Sequence, residues 1–375
     1  MLLTQDQKMI RDAVRAFAQE ELWPHAAQWD RDHTFPRQAH KGLAALGCYG
    51  ICVPEEYGGA GLDYLTLSLV LEEIAAGDGG TSTAISVTNC PYNAILMKYG
   101  TQAQKQQWLV PAARGDILGA FCLTEPHAGS DASAVRTTAT REGGEYALNG
   151  VKQFITSGQN GQAAIVIAVT DKNAGKKGLS AFIVPTSNPG WKVAGLERKL
   201  GQHSSDTAQI LLQDCRIPGQ NRIGEEGEGY KIALSALEGG RIGIASQSVG
   251  MARSALEFAI RYAKEREAFG VPIFEHQAVA FRLADCATRL EAARQLIWHA
   301  AALRDADQPC LKEAAMAKLF ASEAAEHVCS TAIQTLGGYG VTTDFPVERI
   351  YRDVRVCQIY EGTSDVQKII ISRAL

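Results

Sequence analysis

Five short stretches of the chain carry residue types able to do chemistry. The first is Phe121-Cys122-Leu123-Thr124-Glu125-Pro126-His127-Ala128-Gly129-Ser130-Asp131, which mixes hydroxyls with a glycine and a proline turn. Such a combination can present backbone N–H groups to phosphate or ring acceptors. Its plainer reading, an interdomain connector, is the better one on composition alone. The second, Phe154-Ile155-Thr156-Ser157, sets a ring beside hydroxyls and could face a planar cofactor, although a strand Phe is more often core. The third, Arg266-Glu267-Ala268-Phe269-Gly270, leaves an arginine at the end of a long helical pattern. There it either complements the helix dipole or contacts a phosphate. The fourth, Gln334-Thr335-Leu336-Gly337-Gly338-Tyr339-Gly340, ends a helix on three glycines where a simple C-cap needs one.

The fifth is Ile359-Tyr360-Glu361-Gly362-Thr363-Ser364-Asp365-Val366-Gln367. Ser364 followed three residues later by Gln367 predicts a capping box that opens a helix, with Val366, Ile369 and Ile370 as its apolar stripe. Gly362 lets the preceding segment bend. These local rules account for the glycine, the serine and the glutamine, and leave Glu361 without a reason.

Several common chemistries have no support. The eight histidines show neither HExxH nor paired ligand spacing, so no metal site is expected. There is no P-loop and no GxSxG elbow. The glycine clusters at 58–61, 227–229 and 337–340 miss the GxGxxG spacing, and none follows a predicted strand, which disfavours a Rossmann site.

The elements that must position these stretches fall in three blocks. Gln7 to Trp23 has apolar residues at helical spacing, with Pro24 expected to stop it. Helices are also predicted over Tyr64 to Ala76 and Gln102 to Ala113, with a loop at Gly58–Gly61. After residue 120 the texture changes. Asn149-Gly150 between Tyr146–Leu148 and Val151–Ile155 predicts a hairpin. Short apolar or β-branched runs follow at Ala163–Val169, Leu179–Val184 and Thr207–Leu212. From Gly229 the chain is helical again: Ile242, Ala245, Val249, Ala252, Leu256, Ala259 and Ala263 share one face. Further long helices are expected around 276–306 and 311–336, and their alanine-rich faces permit a close four-helix bundle. The expected domains are 1–120 (α), 121–225 (β) and 226–375 (α).

The 375 residues are 46% hydrophobic and 21% charged, with a net charge near −4. No basic stretch provides a nucleic-acid footprint. Nine scattered cysteines without a CxxC point to reduced thiols rather than a disulfide framework. No apolar run is long enough to span a bilayer. The N-terminus has neither a secretory nor a transit profile, so a soluble cytoplasmic protein is expected.

Taken together and in order, the five stretches resemble the acyl-CoA dehydrogenases over nearly the whole chain. The resemblance implies an α-helical domain, a β-barrel-like middle domain and a C-terminal four-helix bundle. It also implies FAD, contacted by Phe121, Cys122, Leu123, Thr124, Gly129 and Ser130, with Phe154, Ile155 and Thr156 at the flavin ring. Thr363, Ser364 and Asp365 would meet the pyrophosphate at a helix N-terminus. Arg266, Phe269, Gln277, Gln334, Thr335, Leu336, Gly337 and Gly338 match residues that reach the FAD of a neighbouring subunit, implying a homo-oligomer, a tetramer. Ser130, Glu238, Gly239, Gly240, Arg241, Tyr360 and Gly362 match substrate contacts. Glu361 matches the catalytic base: it would take the α-proton of an acyl-CoA thioester, with its own N–H gripping the thioester carbonyl, while hydride leaves the β-carbon. The product would be a trans-2-enoyl thioester, and the electrons would pass to an electron-transferring flavoprotein. Excluding water on substrate binding would raise the Glu361 pKa.

Some members place the base at the position of Gly240, which holds no carboxylate here. The run Arg241-Ile242-Gly243-Ile244-Ala245-Ser246-Gln247 looks most like short-chain members. Two positions depart from the family: Phe154 stands where Trp is common, and Asp365 where Glu or Gln is usual. Members of the fold also include oxidases that use oxygen and non-dehydrogenating proteins, among them a DNA-associated stress protein. Glu361 argues against the flavin hydroxylases of the fold, which lack the base, and the absence of a basic patch argues against the DNA-associated protein. Oxidases are harder to reject, though they usually carry an added C-terminal domain. The segment Ala84–Asn93, expected to floor the acyl pocket, has no cation, which disfavours a dicarboxylyl substrate.

Overall fold

The computed structural model describes residues 2–375. The N-terminal block is helical. Helix Gln5–Phe17 is followed by a wide π turn, Ala18–Leu22, and by helix Trp23–Asp32. Pro24 therefore does not stop the helix, contrary to expectation. The π turn shifts the bonding register, with the Trp23 N–H reaching the Ala18 carbonyl, so Pro24 falls in a new first turn where no donor is needed. The same device recurs at Pro111, in the first turn of the helix Val110–Arg114 that follows the π turn Lys105–Leu109, while Pro91 lies inside the π turn Thr88–Asn93 itself.

The middle block is an eight-stranded sheet of β1 Gly119–Cys122, β2 Thr138–Glu142, β3 Glu145–Thr156, β4 Ala163–Val169, β5 Leu179–Pro185, β6 Trp191–Leu196, β7 Thr207–Pro218 and β8 Arg222–Ile223. The spatial order is β6-β7-β3-β2-β4-β5-β8, with β1 parallel to β4. The expected hairpin at Asn149-Gly150 is not there. Those residues lie inside the continuous strand β3, at a register shift against β7, and the actual turn is Gly143-Gly144 between β2 and β3. The glycine is required at the bulge because a Cβ on residue 150 would meet the Thr137 Cα at 2.7 Å.

Three long helices, Gly229–Glu265, Gln277–Asp305 and Leu311–Leu336, build the C-terminal bundle, with Val347–Val354 and Ser364–Ser372 packed against Leu311–Leu336. Its core is largely small residues, among them Ala245, Ala252, Ala259, Ala314, Ala317, Ala321 and Ala325, which lets helix axes approach closely. Helix Tyr64–Gly77 of the first block packs along Gly229–Glu265 and shares that core through Leu65 and Leu69. Among the described residues no helix is long and apolar enough to cross a membrane.

Candidate active site

The C-terminal carboxylate sits in a turn built from two consecutive left-handed residues, Glu361 (φ 53°) and Gly362 (φ 88°). Glycine takes that conformation freely, whereas for glutamate it is strained and must be held by its surroundings. The helix that follows is capped by Thr363, not by Ser364 as the spacing predicted. Thr363 adopts the extended cap conformation and its hydroxyl accepts from the Val366 N–H at 3.3 Å. Gln367 does not close a capping box. Its Nε2 turns back to donate to the Glu361 carbonyl at 3.1 Å and the Gly362 carbonyl at 2.8 Å. Lys318, on Leu311–Leu336, donates to the same Gly362 carbonyl at 2.7 Å. The Ser364 hydroxyl is left shielded and unpartnered.

The Glu361 side chain lies against the long helix Gly229–Glu265 at its glycine pair. A Cβ on residue 240 would stand 2.6 Å from Glu361 Oε2 and 3.0 Å from Oε1. The glycine there makes room for the carboxylate. Although the residue as a whole keeps some exposure, Oε2 is shielded and has no hydrogen-bond partner. Burial raises the Glu361 pKa to about 7, against the opposing pull of Arg241 and Lys318. The Glu361 N–H makes no hydrogen bond among the described residues. Arg241 is only 4% exposed, with Nε and Nη1 unpartnered.

The neighbouring glycines of the same helix bring N-terminal side chains close. A Cβ on Gly239 would meet the Tyr64 hydroxyl at 2.8 Å, and one on Gly243 would meet Ser86 Oγ at 2.7 Å and Cys90 Sγ at 3.1 Å. Glu238, expected among the substrate contacts, pairs with Arg304 at 2.8 Å, and that guanidinium lies 4.2 Å from the Tyr64 ring centre. Tyr360 points its hydroxyl inward, donating to Gln247 Oε1 at 3.1 Å and accepting from Gln202 Nε2 at 3.4 Å. Gln202 joins its own backbone N–H to Asp353, so the base turn is tied to the middle block as well.

On the β side, Cys122, Leu123 and Ile155 are buried in the protein interior. Phe121 and Thr124 are half-buried; Gly129 and Ser130 are exposed. Glu125 has a structural role: it accepts from the Arg136 and Thr137 N–H groups at 2.8 and 3.0 Å and pairs with the fully buried Lys152 at 2.8 Å. Phe154 is 60% exposed despite lying in a strand. Its φ of 58°, at a second register shift of β3, throws the ring out of the sheet beside the half-buried Thr156.

A second cluster forms at the far end of the bundle. Arg266, Thr335, Leu336, Gly337 and Gly338 line an open cavity of about 490 Å³ with Tyr262 and Tyr339. Phe269 is 97% exposed, and Gln277 and Gln334 are exposed too. Arg266 stands 26 residues along the helix from Gly240, roughly 39 Å at the α-helical rise. One chain therefore does not bring this cluster to its own Glu361.

Domain descriptions of the acyl-CoA dehydrogenases match the chain in three consecutive pieces: the N-terminal domain over 4–116, the middle domain over 120–215 and the C-terminal domain over 227–375. The short-chain specific acyl-CoA dehydrogenase of rat mitochondria is 48% identical over 370 residues, covering 99% of this chain and 90% of that protein. The chain belongs to the acyl-CoA dehydrogenase family. Butyryl-CoA dehydrogenase of Megasphaera elsdenii superimposes with a TM-score of 0.98 at 40% identity, over 100% of this chain and 99% of that one. A chain from a structure described as the electron transferring flavoprotein of Acidaminococcus fermentans gives 0.99 at 46%, over 100% and 98%.

As an acyl-CoA dehydrogenase the protein is an oxidoreductase and a flavoprotein. Four residues of this site escaped the sequence reading: Lys318, Lys152, Gln202 and Gln247. Lys318 carried a usable signal, since it shares a helix face with Ala314, Ala321 and Ala325, where a charge has no solvent to meet. Lys152 sits beside an irregularity in its strand, and the partners of the two glutamines come from distant segments, so spacing reveals none of them.

Proposed function

We propose that this acyl-CoA dehydrogenase oxidises a short, straight-chain acyl-CoA to its trans-2-enoyl thioester, with Glu361 as the base that removes the α-proton. The observation that carries the reading is the shielded, unpartnered Glu361 Oε2 against Gly240, on a carboxyl raised to about 7. A base near neutrality is matched to its task at working pH. The free Glu361 N–H is available to the thioester carbonyl as negative charge develops there. Gly239 and Gly243, closely backed by Tyr64, Ser86 and Cys90, favour a short acyl chain, and the name of the rat relative agrees.

FAD is the flavin these residues fit: an exposed Phe154, an orphaned Ser364 hydroxyl at a helix N-terminus, and open space over Gly129, Gly337 and Gly338. Bound FAD would supply the hydride acceptor, and the electrons would go on to an electron-transferring flavoprotein. Phe121 to Thr124, Gly129, Ser130, Phe154 to Thr156 and Thr363 to Asp365 would hold the cofactor from the same chain. Arg266, Phe269, Gln277 and Gln334 to Gly338 would hold it from a neighbour, which makes the working enzyme a homo-oligomer, a tetramer. Ser130, Glu238, Gly239, Gly240, Arg241, Tyr360 and Gly362 would shape the thioester site.

The test is anaerobic flavin bleaching by a panel of straight and branched acyl-CoAs. Butyryl-length substrates should bleach the enzyme fastest, and Glu361→Gln should bind them yet reduce the flavin at least about a thousandfold more slowly. Unchanged reduction in that variant overturns the assignment of the base.

A further inference from the structure

Lys318 is fully buried on an alanine-rich helix face, where an ammonium ion is expensive to desolvate. A methionine of similar length would fill the same space. Yet Nζ makes one hydrogen bond among the described residues, 2.7 Å to the Gly362 carbonyl. That carbonyl also accepts from Gln367 Nε2 at 2.8 Å, so two side chains from two helices hold one peptide. The peptide closes the strained pair Glu361–Gly362, whose left-handed backbone persists only if something holds it. The other end of the turn is fixed separately, through the Tyr360 hydroxyl on Gln247 and Gln202.

We infer that Lys318 is a positioning residue: by gripping the Gly362 carbonyl it locks the turn that keeps the Glu361 carboxylate against Gly240. The inference rests on the reading of Glu361 as the base. A misplacement of the base by about 1 Å is enough to slow a proton transfer a hundredfold, so the clamp matters although Lys318 touches no substrate.

The charges facing this turn come from several elements. Arg241 and Lys318 oppose the raised pKa of Glu361, and Cys90 of the Thr88–Asn93 turn lies within its field. Burial pushes the Lys318 pKa down to about 8, with Cys357, Glu361 and Glu323 opposing and Arg241 reinforcing the shift.

The experiment compares Lys318→Met and Gln367→Met in the flavin-loaded enzyme. Both should slow anaerobic flavin reduction about tenfold or more with little change in KM, because each removes one donor from the same carbonyl. Amide exchange over residues 359–364 should quicken in both, without change in the middle of Leu311–Leu336. Only Lys318→Met should also move the pH midpoint of reduction upward, because it alone removes a positive charge beside the carboxylate. Wild-type reduction rate and exchange in a folded Lys318→Met enzyme overturn the inference. Should that variant not fold, the same result in Gln367→Met overturns it. Glu361→Gln run alongside separates the two readings: an active Glu361→Gln enzyme sinks the base assignment, while the exchange data still judge the clamp.

Discussion

The two ends of the long helix Gly229–Glu265 make opposite arrangements from similar materials. At Gly240 the helix meets a strained turn whose backbone is pinned by Lys318 and Gln367 and whose tyrosine is pinned by Gln247 and Gln202. At Arg266 it meets an open cavity, three glycines and a phenylalanine that is almost wholly exposed. Glycine at the first end is demanded by crowding, since a Cβ on residue 240 collides with a carboxylate. On Gly337 and Gly338 a Cβ would meet nothing within 4 Å. The first end is finished within one chain and the second presents surface. A residue type therefore reveals its job only through what stands opposite it.

The sharpest way to break this contrast is to put a side chain at each end. Gly240→Val should displace the Glu361 carboxylate and slow flavin reduction roughly a hundredfold. A methyl at Gly338, Gly338→Ala, should slow reduction of the flavin-loaded enzyme far less, its cost falling instead on how tightly the neighbour's flavin is retained. Stopped-flow reduction with a saturating short acyl-CoA measures both, and equal losses at the two ends would erase the distinction.

A smaller effect concerns stability at the finished end. The Glu361 carboxyl is raised from 4.5 to about 7, so the folded chain holds that proton more tightly than the unfolded chain does. Stability contributed by this group is therefore lost as pH rises from about 4.5 through about 7, and above 7 the folded state bears the whole penalty. Glu361→Gln removes it. The variant should be more stable than its parent by about 1 kcal/mol at pH 8, after allowance for partial exposure, with the difference vanishing toward pH 4.5. Thermal midpoints across that range check the sign; an advantage that grows on acidification contradicts it.

The smallest effect on the protomer is expected at the open end. Phe269→Ser should change unfolding free energy by less than about 0.5 kcal/mol, because the ring touches little of its own chain. It should nevertheless loosen assembly and lower flavin retention, read by light scattering and by absorbance after gel filtration.

Much of the architecture was legible because its signals are periodic. The apolar faces of the long helices and the compact runs of β4 and β5 fall where residue spacing put them. The errors cluster where the backbone departs from a regular period. Pro24 reads as a stop, and it stops nothing because the preceding π turn moves the missing donor into a first turn. Asn149-Gly150 reads as a hairpin and is a bulge, because the partner across it is β7 rather than its own neighbour. Phe154 reads as core on strand statistics and is exposed, because a left-handed residue interrupts the alternation of faces. At the site itself the sequence marks Glu361 and Gly362, whereas the clamp from Lys318 spans 44 residues and needs the fold to be visible.

The nine cysteines form no disulfide, and eight of them are buried, Cys52 alone being partly accessible. They are spread through all three blocks, and burial pushes thiols such as Cys48, Cys90, Cys122 and Cys310 up to about 12, which keeps them protonated and inert as nucleophiles. The chain thus carries its own record of integrity. In the folded protein a thiol-reactive dye meets almost nothing, and each block that opens adds its own increment of labelling.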